Sequence, residues 1–214
     1  MIKKSLSLNA ILNAMRSVLN MLFPLITYPY ITAVLSVEEL GKYNFSLSIV
    51  NYFALIAGLG VSSYAIREGA RIREDKRALA DFANQMLEIN LISMLAAYML
   101  LFCVLGIATT LAPYKELILF LSVQMLFTTI GVEWIYSIFE EYQYITIRSI
   151  LFKVASIILL FVLVRKEGDV FQYAGVVMFA TTGSNILDAF FARKYFHFSF
   201  VGLKKLKKHI RPIM

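Results

Sequence analysis

The sequence has little of what most enzymes use for chemistry. Cysteine occurs once, as Cys103, and histidine occurs twice, as His197 and His209. A single cysteine inside an apolar run excludes a disulfide framework and a cysteine metal site, and the two histidines lack the spacing of metal ligands. The sequence also has no glycine-rich phosphate loop. We therefore expect no enzyme activity, no catalytic residue, no metal and no cofactor.

Charge is also scarce, whereas apolar residues are in excess. Charged residues make up 16% of the chain, hydrophobic residues make up 59%, and the mean hydropathy is +0.71. A soluble domain cannot bury this much apolar surface. Six apolar runs, each long enough for a membrane helix of ~20 residues, cover about 10–35, 43–66, 89–111, 117–139, 145–164 and 170–191. Because lipid cannot satisfy backbone groups, the sequence predicts an all-α polytopic membrane helix bundle with six transmembrane helices.

Basic residues are distributed unequally between the two sides of this predicted bundle. With the N-terminus in the cytoplasm, fifteen lie on that side, four lie on the other, and Arg16 and Lys153 lie within apolar runs. The fifteen are Lys3, Lys4, Arg67, Arg71, Arg73, Lys76, Arg77, Arg148, Arg193, Lys194, Lys204, Lys205, Lys207, Lys208 and Arg211. Because cytoplasmic loops retain Lys and Arg, we predict both termini in the cytoplasm and an inner (cytoplasmic) membrane location. The net charge of +7 then indicates contact with anionic lipid headgroups and not with nucleic acid.

Polar residues follow one face of the predicted first helix. Asn13, Arg16 and Asn20 are spaced by three and four residues, which places them on the same side of a helix. Arginine binds phosphate groups in a bidentate manner. We therefore predict a substrate-binding cavity whose candidate residues are Arg16, Asn13, Asn20, Asn51 and Lys153. The alternatives are close helix packing for the small polar residues and snorkelling to the interface for Arg16 and Lys153.

Three acidic residues, Glu88, Glu133 and Asp188, are candidates for ion coupling. A carboxyl group in a low dielectric binds a proton more readily than in water. The alternative is that each acid pairs with a neighbouring arginine or lysine. Pro24 and Pro29 predict a kink in the first helix, either of the kind that transporters use or as a static bend tolerated by packing.

The chain divides at about residue 195. We predict that residues 1–195 form the six-helix transmembrane lobe and that residues 196–214 form a basic amphipathic tail at the cytoplasmic surface. The tail finishes with Arg211, Pro212, Ile213 and Met214, a pattern typical of the approach to another span. We therefore expect a second lobe to follow this one.

Several short strings then occur in a characteristic order. They are Pro24-Leu25-Ile26-Thr27-Tyr28-Pro29-Tyr30, Gly41-Lys42-Tyr43, the segment 46–53, Leu59-Gly60-Val61, and Glu133-Trp134 followed by Glu140, Tyr142 and Arg148. In this order they resemble the bacterial polysaccharide repeat-unit flippases, which are the O-antigen and capsule exporters of the multidrug/oligosaccharidyl-lipid/polysaccharide superfamily. Ser36 and Ala65 differ from the residues usual at these positions in that family. We expect these differences to affect the local turn or packing geometry and not the fold.

The resemblance implies a transporter that flips an undecaprenyl-pyrophosphate-linked oligosaccharide from the cytoplasmic to the periplasmic leaflet, for lipopolysaccharide or capsule assembly. It implies lipid-linked oligosaccharide and membrane lipids as partners, with the glycan polymerase machinery as a further one. Two alternatives stay open. A drug or small-molecule exporter of the same superfamily predicts an acid-dominated cavity. A non-transporting scaffold for glycan assembly predicts that the basic loop residues Arg71, Arg73, Lys76 and Arg77 recruit enzymes.

Overall fold

The computed structural model describes residues 6–213, without the side chains of residues 6–10, 13, 203, 204, 210 and 211. Over this range it contains helices and no strand, which confirms the predicted all-α fold. The α-helices are α1 Leu6–Val34, α2 Val37–Gly58, α3 Val61–Arg71, α4 Lys76–Ile107, α5 Lys115–Gly131, α6 Glu133–Ile138, α7 Tyr142–Leu163, α8 Val170–Thr182, α9 Ser184–Phe191 and α10 Leu203–Ile213. Short 3-10 helices cover Thr109–Tyr114 and Ala192–Lys194.

The described chain contains six helical segments that are long and apolar enough to cross a membrane, as predicted. We number as spans 1 to 6 the segments Ala14–Val34, Val37–Arg71, Lys76–Ile107, Thr109–Ile138, Tyr142–Leu163 and Val170–Lys194. Span 3 begins earlier than its apolar run because Asp75 caps α4. The Asp75 carboxylate accepts hydrogen bonds from the backbone N–H groups of Arg77 and Ala78, both at 3.0 Å. The cytoplasmic assignment of both termini continues to rest on the charge distribution.

Spans 2, 4 and 6 are each interrupted, and hydropathy indicates none of these interruptions. In span 2, Leu59 and Gly60 adopt left-handed backbone conformations with φ of 39° and 69°. In span 4, Val132 separates α5 from α6 with φ of 42°. In span 6, Gly183 separates α8 from α9. A β-branched residue in the left-handed region is strained, so the surrounding packing must hold Val132 in place.

Span 1 remains one helix through both of its prolines. Each proline leaves a backbone carbonyl without its usual N–H donor. Two threonine hydroxyls donate to backbone carbonyls in the same region: Thr27 Oγ1 to Phe23 O at 2.9 Å, and Thr32 Oγ1 to Pro29 O at 3.1 Å. These are not the carbonyls that the prolines leave without a donor, which belong to Asn20 and Leu25, four residues before each proline.

The interruptions coincide with a division of the apolar interior into two cores. The first core is built around residues such as Leu101 and Ile118 and includes side chains of α2, α5 and α8. The second core is built around residues such as Met86 and Ile135 and includes side chains of α3 and α6. Spans 2 and 4 therefore pass from the first core to the second at their breaks, which places these two breaks at the junction of the cores.

The tail that follows span 6 packs against spans 2 and 3. Leu206 and His209 of α10 are buried, whereas Lys205, Lys207 and Lys208 are exposed. His209 Nδ1 is hydrogen-bonded to Tyr64 Oη, and its Nε2 is hydrogen-bonded to Gln85 Oε1, each at 2.8 Å. The buried face of α10 therefore lies against α3 and α4, and its lysines lie on the exposed face.

Candidate functional site

Glu133 is the central acid of an ion-pair network that joins three spans. Its Oε1 accepts a hydrogen bond from Arg16 Nη2 at 2.7 Å, and its Oε2 accepts one from Arg148 Nη2 at 3.2 Å. The side chains of Arg16 and Glu133 are 32% and 34% exposed, whereas that of Arg148 is 5% exposed. Solvent therefore reaches the network at Arg16 of span 1, whereas the network is buried at Arg148 of span 5.

Arg148 also forms an ion pair with Asp188 of α9, whose side chain is fully buried. The backbone carbonyl of Asp188 accepts a hydrogen bond from Tyr136 Oη at 2.6 Å. The Arg148 guanidinium lies 5.5 Å from the centroid of the Tyr144 ring, a distance that permits a cation–π contact. Because a buried charge is costly unless it is paired, Arg148 and Asp188 depend on each other for their positions.

A second polar contact links spans 1 and 5. Lys153 Nζ donates a hydrogen bond to Asn20 Oδ1. Lys153 is buried, so its side chain lies against span 1 and does not extend to the end of its helix. Spans 1 and 5 are therefore connected twice. Asn20 contacts Lys153 directly, and Arg16 is connected to Arg148 through Glu133.

A cavity of about 260 Å³ lies beside Glu133, where the two apolar cores meet. Its walls include Ala57 and Met125 of the first core, Trp134 of the second core, and the polar residues Asn90, Thr129 and Asn185. Pockets for whole small molecules are usually ~300–1,000 Å³. This cavity therefore has room for a few polar groups, such as phosphates or water molecules, and not for an oligosaccharide.

The interruption of span 4 sets the position of Glu133. Gly131 ends α5, Val132 takes the left-handed conformation, and Glu133 begins α6. A Cβ atom at Gly131 would lie 2.6 Å from the Cβ of Asn185, so span 6 can approach span 4 this closely only at a glycine. Strained backbone residues cluster at functional sites, and Val132 directly precedes Glu133.

Five of the predicted candidates lie in these two groups of contacts. Arg16, Glu133 and Asp188 belong to the ion-pair network, and Asn20 and Lys153 form the second contact between spans 1 and 5. Asn51 is exposed on α2, one turn before Ala54 in the cavity wall. The side chain of Asn13 lies outside the described residues. Glu133 and Asp188 are each paired with arginine in the structure. This pairing is the alternative to ion coupling that the sequence left open.

Glu88 lies apart from the network. Its Oε2 accepts hydrogen bonds from the backbone N–H groups of Val201 and Gly202, at 3.0 and 3.3 Å. The Glu88 side chain is buried. This carboxylate therefore holds the tail against span 3, which is a different position from the one expected for a cavity acid.

Arg148 is a site residue that the count of loop charges placed wrongly. That count assigned it to the basic cytoplasmic loops, but it lies within α7 and is buried. Counting charges by loop does not register whether a residue near a helix end faces the bundle. The sequence does contain a signal, because Arg148 lies inside the predicted fifth run at 145–164, on the same helix as Lys153.

Comparison with known proteins identifies a family for nearly the whole chain. Comparisons with curated proteins and with solved structures gave no significant match. A family model described as polysaccharide biosynthesis protein matches residues 6–214. With its six apolar spans, the chain is therefore a multi-pass membrane protein that belongs to the polysaccharide biosynthesis protein family.

Proposed function

We propose that this protein flips an undecaprenyl-pyrophosphate-linked oligosaccharide repeat unit from the cytoplasmic to the periplasmic leaflet of the inner membrane. The observation that carries the proposal is the accessible Arg16–Glu133 ion pair beside a polar cavity inside the bundle. Transport of this kind requires recognition of the pyrophosphate and involves no covalent step. The proposed role therefore fits a site built from ion pairs and amides.

The charges in the network favour an anionic substrate. The network itself has two cations, Arg16 and Arg148, and two acids, Glu133 and Asp188. Lys153 of the second contact between spans 1 and 5 adds one positive charge. Arginine offers the paired N–H donors that phosphate oxygens accept. A charge inside a bundle costs ~2.5–3.5 kcal/mol on insertion scales, so a surplus cation in this position requires a function.

In the proposed mechanism, Arg16 exchanges one anion for another. With no substrate bound, Arg16 donates to Glu133 Oε1. When a pyrophosphate arrives, the Arg16 guanidinium moves from the carboxylate to the phosphate oxygens. Glu133 is not left unpaired by this exchange, because its Oε2 still accepts from Arg148. Arg148 in turn stays fixed by Asp188, so only the accessible half of the network changes partners.

The network argues against the two alternatives. An exporter of cationic drugs is expected to present an excess of acids at its binding site. Glu133 is the one charged residue among the described residues that line the cavity, but the arginines and Lys153 around it outnumber the acids. In the scaffold alternative the basic loop between α3 and α4 would recruit enzymes. Arg71 at the end of α3 and Arg73 of that loop already pair with Glu68 and Glu140, at 3.0 and 2.9 Å, as solvated surface residues commonly do.

The test uses cells that lack the full gene and express variants of it. The measurement is the leaflet in which lipid-linked oligosaccharide accumulates. We expect Arg16→Ala at normal expression to leave the oligosaccharide in the cytoplasmic leaflet, and Arg16→Lys to restore part of the transport, because lysine keeps the charge but not the bidentate geometry. The matched control is Arg73→Ala, which removes an arginine paired with a carboxylate at 2.9 Å outside the network.

Two results would overturn parts of this proposal. Full outward delivery by Arg16→Ala would remove Arg16 from the substrate site. Normal outward delivery in cells that lack the gene would reject the flippase function itself.

A further inference from the structure

A second recess lies on another side of the bundle, between spans 3, 4 and 6 and the tail. We call it the tail groove, and it has a volume of about 610 Å³. Its lining includes Leu87, Leu91, Ile130, Ala189 and Phe198, with Arg193 at its edge. None of the described residues that line it also lines the cavity beside Glu133. The tail groove is therefore separate from the proposed transport site.

The tail forms one wall of this groove and is held in place by two buried residues of α4. Asn84 Nδ2 donates a hydrogen bond to His197 O at 3.1 Å, and Asn84 Oδ1 accepts one from the backbone N–H of Ser199 at 3.0 Å. Glu88 holds the next residues of the tail through two further backbone N–H groups. Phe198 lies between the two tail residues that Asn84 holds, His197 and Ser199, so the wall it contributes is fixed in position.

The exposed edge of the tail groove is cationic. Arg193 is exposed at the end of span 6, and its guanidinium lies 5.3 Å from the centroid of the Phe190 ring. His197 is exposed beside it. Among the residues that the structure describes, the lining of the groove contains no carboxylate that would neutralise Arg193. The groove thus combines an apolar channel with a positively charged opening.

We propose that the tail groove binds an anionic phospholipid. One acyl chain lies against Leu87, Leu91, Ile130 and Phe198, and the headgroup phosphate contacts the Arg193 guanidinium. Pockets between transmembrane helices with a basic edge bind anionic lipid headgroups in this way, and the volume is in the range of specific ligand sites. Since one wall belongs to the tail, a bound lipid links the tail to spans 3, 4 and 6.

This inference does not depend on the proposed transport of an oligosaccharide. The lipid-linked oligosaccharide is another molecule with a phosphate and an apolar chain, and the experiment separates the two. The full-length protein is first placed in nanodiscs that contain equal amounts of phosphatidylglycerol and phosphatidylethanolamine with a small amount of undecaprenyl phosphate. It is then purified from these nanodiscs. The lipids that remain bound are then extracted and quantified by mass spectrometry.

We expect the wild-type protein to retain phosphatidylglycerol in preference to the other two lipids. Arg193→Gln should lower this retention by roughly tenfold, because it removes a hydrogen bond between two charged groups. The matched control is Lys194→Gln, which removes a neighbouring exposed cation outside the lining and should leave retention unchanged. Ile130→Trp fills the channel from a partly exposed position and should also lower retention, with an unchanged gel-filtration profile.

Three results would overturn the proposal. One is an equal loss of phosphatidylglycerol in Arg193→Gln and Lys194→Gln, which would indicate diffuse surface charge. Another is unchanged retention in folded Ile130→Trp, which would place the lipid elsewhere. The third is preferential retention of undecaprenyl phosphate by the wild type, which would assign the groove to the lipid carrier.

Discussion

Arg148 and Asp188 form an ion pair in which neither side chain is open to solvent, with exposed fractions of 5% and 0%. The pair connects span 5 to span 6, and Arg148 also contacts Glu133 of span 4. Taking two charges out of water is costly, and the attraction between them offsets that cost only while both are present. The pair therefore serves first to hold three spans in one arrangement, and through Glu133 it positions the accessible Arg16.

The first prediction concerns the stability of this pair. Arg148→Ala should destabilise the protein by about 3–5 kcal/mol, because it leaves the Asp188 carboxylate buried without a partner. The measurement is thermal unfolding in detergent at constant detergent and protein concentration. Arg73→Ala, which breaks an exposed ion pair, should cost at most about 1 kcal/mol. The double variant Arg148→Met/Asp188→Leu should unfold at a higher temperature than Arg148→Ala. An equal decrease in unfolding temperature for Arg148→Ala, Arg73→Ala and the double variant would contradict this account.

The second prediction tests the exchange of anions at Arg16. If Glu133 competes with the substrate for Arg16, Glu133→Gln should bind inorganic pyrophosphate severalfold more tightly than the wild type. The reason is that the neutral amide holds the guanidinium less strongly than a carboxylate does. Calorimetric titration of the purified full-length protein measures this affinity. Glu140→Gln removes an acid paired with Arg73 and should have no effect, whereas weaker binding by Glu133→Gln would be evidence against the exchange.

The third prediction concerns the close approach of spans 4 and 6. Gly131→Ala places a methyl group 2.6 Å from Asn185 Cβ and 3.2 Å from Asn185 Cα. The two helices must then move apart, at a cost of about 1–3 kcal/mol in the free energy of unfolding. Gly106→Ala is the matched control, because its new Cβ has no atom within 4 Å and alanine is favoured over glycine in a helix. Equal unfolding temperatures for the two variants would show that this contact does not limit the packing.

The fourth prediction concerns pH and the tail. Burial lowers the pKa of His209 from its ordinary value, the nearby Lys208 lowers it further, and Glu68 of α3 acts in the opposite direction. The groups facing it from α4, Gln85 and Phe82, are uncharged. The docked tail therefore favours neutral His209, whereas a released tail has the ordinary pKa of ~6.5. Docking is unopposed above that pH and weakens as the pH falls below it.

We accordingly expect backbone amides of α10 to exchange hydrogen faster at pH 5.5 than at pH 7.5, after correction for intrinsic exchange rates. His209→Gln keeps a polar side chain at this position but does not titrate, so the corrected exchange of α10 should become independent of pH. A pH dependence that persists in His209→Gln would exclude His209 as its cause.

Much of the architecture follows from the sequence because the membrane imposes strong constraints. Lipid offers no hydrogen bonds to the backbone, so each apolar run of sufficient length must form a helix. For this reason the six spans are predicted correctly, and the Lys76 start of span 3 differs because hydropathy does not register a charged first turn capped by Asp75. The spacing of Asn13, Arg16 and Asn20 also predicts one face of span 1, since the helical period is fixed.

The partners of those residues are decided only by the tertiary structure. Arg16 and Glu133 are 117 positions apart in the chain, and their contact depends on the rotation and relative height of two helices, which hydropathy does not encode. The same holds for the buried position of Arg148 and for the anchoring of the tail by Glu88. The strained backbone at Val132 exists because the packing of spans 4 and 6 around Gly131 and Asn185 outweighs the local preference of valine for another conformation.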